Sequence, residues 1–265
     1  MIQGGALALG PFAWEMAVRL VLDLALLAAI LRILDLPVLG FPLKDRRVID
    51  RLLLGSAIGV GVMVLAILAI VALGAARVAY SGQPAGAAVL NGLNWFAVDL
   101  LGAAGEEIYG RGAVLLVAAA FFGWRGAALV SGAVFLALHL DNPGASPVWL
   151  FRLFLQGVLL AYAVFRTGSL WWSVGYHTGW NWASAPLFGA AGSGYLDAGH
   201  IFDFTPTGAA IVTGGAVGPE GSLFAFAAVL LASVLLVLTT RNSTGANIEH
   251  ADDRLGWLPA HSGRS

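Results

Sequence analysis

The sequence predicts an all-α fold, a polytopic membrane helix bundle of seven to eight transmembrane helices. Three observations carry that reading. The 265 residues are 59% hydrophobic. Only 11% are charged, where a soluble domain uses about 25% to cover its surface. The apolar residues also fall in runs long enough to cross a bilayer, which takes about 20 residues of helix. The same composition excludes a disordered chain and an ordinary cytosolic enzyme, and the absence of cysteine excludes a disulfide scaffold. Fourteen Lys and Arg against fifteen Asp and Glu form no basic face, so no nucleic-acid partner is expected. The expected surroundings are the lipid bilayer.

Taken in order, the first run is residues 11–34, interrupted by Glu15, Arg19 and Asp23, with Arg32 near its end. The first three are spaced by four, so they share one helical face and can pair there. A charged stripe at membrane depth is expected to face the bundle or a polar cavity. Residues 52–76 carry no charge. Residues 87–122 are too long for one straight crossing and contain Asp99, Glu106, Glu107 and Arg111, which suggests a long or broken helix, or two short ones. Runs at 126–140, 147–165 and 169–188 follow, and residues 221–240 are again free of charge. Turn chemistry separates them at Lys44-Asp45-Arg46-Arg47, Ser81-Gly82-Gln83-Pro84 and Asp141-Asn142-Pro143-Gly144.

Residues 189–220 form a long Gly-rich connection containing His200, Asp203 and Pro206, of the kind that is either functional or mobile. The frequent Gly and Ala inside spans fit close helix packing in lipid. Four regions result: residues 1–86 with two spans, a core at 87–190, the long loop and last span at 191–240, and a polar tail at 241–265. With seven spans and an external N-terminus, one side receives Lys44, Arg46, Arg47, Arg51, Arg125, Arg166 and Arg241, and the other only Arg77. The positive-inside rule then makes the C-terminus cytoplasmic. Residues 1–10 hold no basic n-region, so no cleaved signal peptide is expected.

Against this background the buried polar residues stand out, since an ionisable group at the bilayer centre costs about 2.5–3.5 kcal/mol on the insertion scale. Glu107 and Arg111, four apart, read as a structural ion pair. Glu106 has only Gly110 at the matching position and points about 100° away from Glu107. An unpaired carboxylate there is poised for proton transfer. Asp99 and Arg152 read as lone charges. His139 ends a second apolar run, and His177 lies in a third with Asn181 one turn later on the same face. One carboxylate and two imidazoles can activate water, directly or through a bound divalent metal. Asn181 and a protonated histidine could donate to an oxyanion formed on a carbonyl. No serine stands in a nucleophile elbow and no H-E-x-x-H helix is present, so hydrolysis by an activated water is the best chemical reading.

The motifs Glu106-Glu107-x-x-x-Arg111, Phe135-x-x-x-His139 and His177-x-x-x-Asn181 resemble the three-motif signature of the CPBP intramembrane endopeptidases. That family includes the eukaryotic prenylated-CaaX protease and bacterial relatives linked to bacteriocin processing and immunity. The resemblance covers about residues 87–190. It implies that Glu106 activates water, that His139 and His177 position that water or a metal such as zinc, and that Asn181 stabilises the oxyanion. Glu107 and Arg111 would support the site. A peptide or protein substrate at the membrane follows. Gly110 stands where the family commonly has a bulky aromatic, and the Ala/Gly-rich composition reads as that of a prokaryotic plasma-membrane protein. Two other readings compete. One is a non-catalytic membrane immunity or scaffold protein that retains the polar cluster. The other is an ion-coupled transporter, disfavoured because the two halves lack matching broken helices. The protease reading requires Glu106, His139 and His177 to open onto one cavity.

Overall fold

The computed structural model describes residues 9–33 and 43–240. The polar tail at 241–265, Arg241 included, lies outside the described residues. Helix α1 is Leu9–Ile33 and α2 is Val48–Ala72. Strand β1, Ala76–Tyr80, leads to α3, Ala85–Glu107, a π-helical turn at Ile108–Val114, and α4, Leu115–Ala137. Helices α5, Pro147–Thr167, and α6, Trp171–Trp182, follow, and a second π-turn spans Ala183–Leu187. Strand β2 is Phe202–Pro206, α7 is Ala210–Thr213, a 3-10 turn covers Gly215–Gly221, and α8 is Leu223–Thr239.

Four helical segments are long and apolar enough to cross a membrane: Val48–Ala72, Ala85–Ala137, Pro147–Thr167 and Gly215–Thr239. The second is kinked at Gly123, whose φ of 63° no L-residue adopts readily, so the expected break between residues 122 and 126 is present. The other expected spans are realised differently. Helix α1 keeps its charged stripe. The run at 169–188 becomes a 12-residue α6 plus a π-turn, too short by itself to cross. Its residues 172–180 are buried throughout, so that apolar run is enclosed by protein rather than by lipid.

Local chemistry sets several boundaries. Ser146 caps α5 by accepting from the Trp149 amide at 3.3 Å, with Pro147 in the first turn. Gly168, at φ 70°, ends it. Helix α2 stops at Ala72 rather than running to 76, because Gly74 takes a left-handed conformation and turns the chain into β1. Strands β1 and β2 pair antiparallel from Ala76 with Pro206 to Tyr80 with Phe202. This ribbon corrects the purely helical expectation. Val, Phe, Thr and Tyr favour such pleated pairing, and Val78, Phe202 and Phe204 pack on the helical core below.

The main core gathers α2, α5, α6 and α8 around Trp172, Tyr176, Trp180, Met63, Ile67 and Leu160. Its tightest seam joins α2 to α6. A Cβ built on Gly55 would lie 2.2 Å from the Trp172 carbonyl oxygen, and one on Gly59 2.2 Å from that of Tyr176. Reciprocally, Gly175 and Gly179 would meet the carbonyl oxygens of Leu52 and Ser56 at 2.1 and 2.3 Å. Two small-xxx-small motifs thus face each other and let the backbones touch. The 189–220 connection is ordered and packed. Its Glu220, 1% exposed, pairs with Arg152 at 2.9 Å and accepts from Trp149 Nε1 at 3.3 Å. Arg152 is therefore not the lone charge expected from the sequence. Its partner lies 68 residues away, beyond any helical spacing rule.

Candidate active site

Glu106 and Glu107 are the last two residues of α3, and the π-turn begins immediately after them. Such bulges recur at functional sites because they re-aim side chains inside an otherwise regular helix. Here Ser131 Oγ on α4 donates to the Gly110 carbonyl at 2.9 Å, satisfying backbone within the turn. Glu107 is fully buried. Its Oε1 accepts from Arg111 Nη1 at 3.0 Å and from His177 Nδ1 at 3.0 Å. The expected Glu107–Arg111 pair is present, and it also holds an imidazole on α6. Arg111 in turn lies over the Phe135 ring, 4.4 Å from its centroid.

Phe135 organises the opposite wall. Its carbonyl accepts from His139 Nδ1 at 2.7 Å, and its ring contacts the imidazoles of His139 and His177 at centroid distances of 4.8 and 5.7 Å. A carbonyl can only accept, so Nδ1 of His139 carries hydrogen, and the Glu107 carboxylate imposes the same tautomer on His177. In the neutral rings each Nε2 is then a free lone pair. Both face one atom: Glu106 Oε2 is 4.0 Å from His139 Nε2 and 3.9 Å from His177 Nε2. That oxygen is buried and has no hydrogen-bond partner among the described residues.

Glu106 is not the unpaired carboxylate expected from its own helix. Its Oε1 lies 4.0 Å from Arg19 Nη1 on α1, and Arg19 is also 3.9 Å from Asp23. The α1 stripe therefore turns toward the polar interior, as its spacing predicts. Glu106, His139, His177 and Asn181 all line one cavity of about 370 Å³, which Arg19 from α1 and residues of the 189–201 connection also line. Asp99 on α3 and Asp197 on that connection line it too. Sequence reading named Asp99 only as a lone charge and did not single out Asp197. Phe135 entered the motif without a role.

Donor spacing bears on a metal. Ligands around a tetrahedral zinc, bonded at about 2.0–2.1 Å, lie about 3.4 Å apart. The 3.9 and 4.0 Å separations here are wider, and among the described residues no group of three or more His, Asp or Glu is arranged to hold a metal ion. A water suits the gap better. Placed about 2.8 Å from both members of such a pair, it meets them at about 90°.

Residues 87–183 match the family model described as type II CAAX prenyl endopeptidase Rce1-like. Over this segment, a little more than a third of the chain, the protein is similar to the Rce1-like family. The match agrees with the resemblance carried by the three motifs, and the Rce1-like segment contains Glu106, Glu107, Arg111, His139, His177 and Asn181. Arg19, Asp197 and Glu220 lie outside it. Rce1-like proteins are a protease family, and the four long apolar helices make this chain an integral membrane protein. Comparison with curated proteins and with solved structures gave no match.

Proposed function

We propose that the chain is an intramembrane endopeptidase that hydrolyses a peptide bond with a water activated by Glu106. The observation that carries this is the unpartnered Glu106 Oε2 facing the Nε2 atoms of His139 and His177 within one cavity. Water donates one hydrogen to Glu106 and the other to a histidine Nε2. Glu106 takes the proton as the oxygen adds to the carbonyl carbon, and the carbonyl oxygen becomes an oxyanion to which the Asn181 amide donates. As the tetrahedral intermediate collapses, Glu106 returns the proton to the departing nitrogen and the C–N bond breaks. One product is a carboxylate and the other an amine. Arg19 lies beside the other Glu106 oxygen, and Glu107 fixes the tautomer of His177. No step passes through a metal.

The test is direct. The full chain in proteoliposomes is incubated with a randomised apolar peptide library, and new termini are read by mass spectrometry. Cutting by the wild type that survives dialysis against EDTA and disappears in a Glu106→Ala, His139→Ala, His177→Ala variant is expected. An uncut library, or cutting by the triple variant, favours the non-catalytic scaffold reading. Cutting lost to EDTA and restored by zinc would overturn the metal-free step.

The membrane arrangement is part of the same reading. We count seven embedded helices by adding α1, the arm of α4 beyond Gly123, and α6 to the four long spans. Arg51 donates to the Thr167 carbonyl and Arg166 Nη2 to that of Val237 at 3.0 Å, so the basic start of α2 and the ends of α5 and α8 share one end. Arg77 sits on the ribbon beyond the opposite end of α2. The basic end is cytoplasmic by the positive-inside rule. The side of the cavity lined by Asn142 and residues 192–197 then faces away from the cytoplasm. The chain has no cysteine, so single cysteines report cleanly. An impermeant maleimide applied to intact cells should label Thr205→Cys and not Asp50→Cys. The reverse pattern inverts the orientation.

A further inference from the structure

The cavity holds a second polar feature that the proposed reaction does not use. Asp99 lies seven residues before Glu106 on α3, two turns away on the same side of the helix, or about 10 Å along its axis. Its side chain lines the cavity, the residue is 9% exposed, and Oδ2 has no hydrogen-bond partner among the described residues. Asp197, 6% exposed, lines the same cavity from the 189–201 connection, close enough for the two charges to interact. Asp197 is held in place. Trp95 Nε1 donates to the Ala198 carbonyl at 2.8 Å, Gln83 Nε2 to that of His200 at 2.7 Å, and Asn142 Nδ2 to that of Ser193 at 3.0 Å.

Among the described residues, the cavity lining holds four carboxylates, Glu15, Asp99, Glu106 and Asp197, against one arginine, Arg19. Arg19 is spent on Glu106 and Asp23, and His200 pairs with Asp203 at 2.7 Å while still acting on Asp197. Asp99 and Asp197 remain as buried acidic lining, with the exposed Glu15 beside them on the cavity wall. Burying carboxylates without a counter-charge is costly, so a site built this way is suited to a ligand that brings one. Too few donors converge for a metal among the described residues. An ammonium or guanidinium group on a flexible side chain needs only such acceptors.

We infer that Asp99 and Asp197 form a subsite for a Lys or Arg side chain of the peptide substrate. The inference rests on the peptidase reading and names its specificity. An extended peptide advances about 3.3 Å per residue, so the 10 Å from Glu106 puts the basic residue about three positions from the bond that is cut.

The probes are apolar, C-terminally amidated decapeptides that carry one Lys, Gln or norleucine at successive positions. Binding to the full-length Glu106→Gln protein in detergent micelles is measured by fluorescence anisotropy, and cutting by the wild type is measured on the same peptides. The Lys peptide should bind about tenfold tighter than its Gln and norleucine twins, and Asp99→Asn and Asp197→Asn should each remove most of that difference. Burial pushes the Asp197 carboxyl up to about 7, with His200 pulling the other way. Asp99 from α3 and His200 from its own segment act on it, and Glu15 and Arg19 from α1, Glu106 from α3, His139 after α4, His177 from α6 and Tyr195 line the same cavity. A carboxyl with a raised pKa gains its charge only as pH climbs through that value, so the Lys preference should widen from about pH 6 to about pH 8. Equal binding of the Lys, Gln and norleucine twins, or competition by millimolar calcium or magnesium in place of Lys, overturns the subsite. Lys-selective binding without cutting retains the subsite and overturns the peptidase. Cutting without Lys selectivity does the opposite.

Discussion

Gly175→Val yields no folded protein. The added Cβ would sit 2.1 Å from the Leu52 carbonyl oxygen, where an ordinary contact is about 3.5 Å or more. Overpacking a core by flexible side chains typically costs about 1–3 kcal/mol. Here the opposing atom belongs to backbone, so no rotamer change relieves the clash and α2 and α6 must separate. Gly55, Gly59 and Gly179 touch backbone in the same way, so one added side chain opens the whole seam. Separation strips the packing around Trp172, Tyr176 and Trp180 and carries His177 away from Glu107. Gly61→Val is the control. It lies on α2, the partner helix of the seam, with nothing within 4 Å of a built Cβ. Size-exclusion profiles and thermal unfolding in detergent compare the two. Equal yield and melting temperature would remove the seam from the account.

Glu106→Gln folds and inserts normally but loses about 10²–10⁴ in kcat, the usual worth of a positioned general base. The carboxamide matches the carboxylate in shape, yet it cannot take a proton from water, and its NH₂ would donate to one of the imidazole lone pairs. Little stability is at stake, because Oε2 makes no hydrogen bond and the Arg19 contact is at 4.0 Å with the Arg19 side chain 41% exposed. That separates Glu106 from its neighbour. Glu107 is fully buried and serves Arg111 and His177 together, so substitutions there disturb fold and activity at once. An unchanged kcat in purified Glu106→Gln would remove the base from the mechanism.

What the sequence made legible follows from the range of the rules used. Spacing by four exposed the Glu107–Arg111 pair, the α1 stripe and the shared face of His177 and Asn181, because all are local to one helix. The positions of Glu106, His139, His177 and Asn181 around one cavity agree with the motif reading. Contacts between distant segments were hidden. Arg152 finds Glu220 across 68 residues, Glu106 meets Arg19 on a helix outside the Rce1-like match, and His177 Nδ1 reaches Glu107 across 70 residues. The run at 169–188 read as a lipid-crossing span because hydropathy registers apolar surroundings without distinguishing lipid from protein. The GxxxG spacing at 55–59 and 175–179 was visible in the letters, but only the fold pairs one with the other. The ribbon was missed because β1 adjoins the apolar run of α2 and its partner lies more than a hundred residues later.

The central claim is that Glu106 delivers a water to a peptide carbonyl. Cleavage in heavy-oxygen water tests it most directly, with intact products and intact protein both weighed by mass spectrometry. The wild type should place one heavy oxygen in each new carboxylate with no covalent adduct on the protein, and Glu106→Gln should give no labelled product over the same interval. Labelled product from Glu106→Gln at the wild-type rate, or a peptide left attached to the chain, would contradict it.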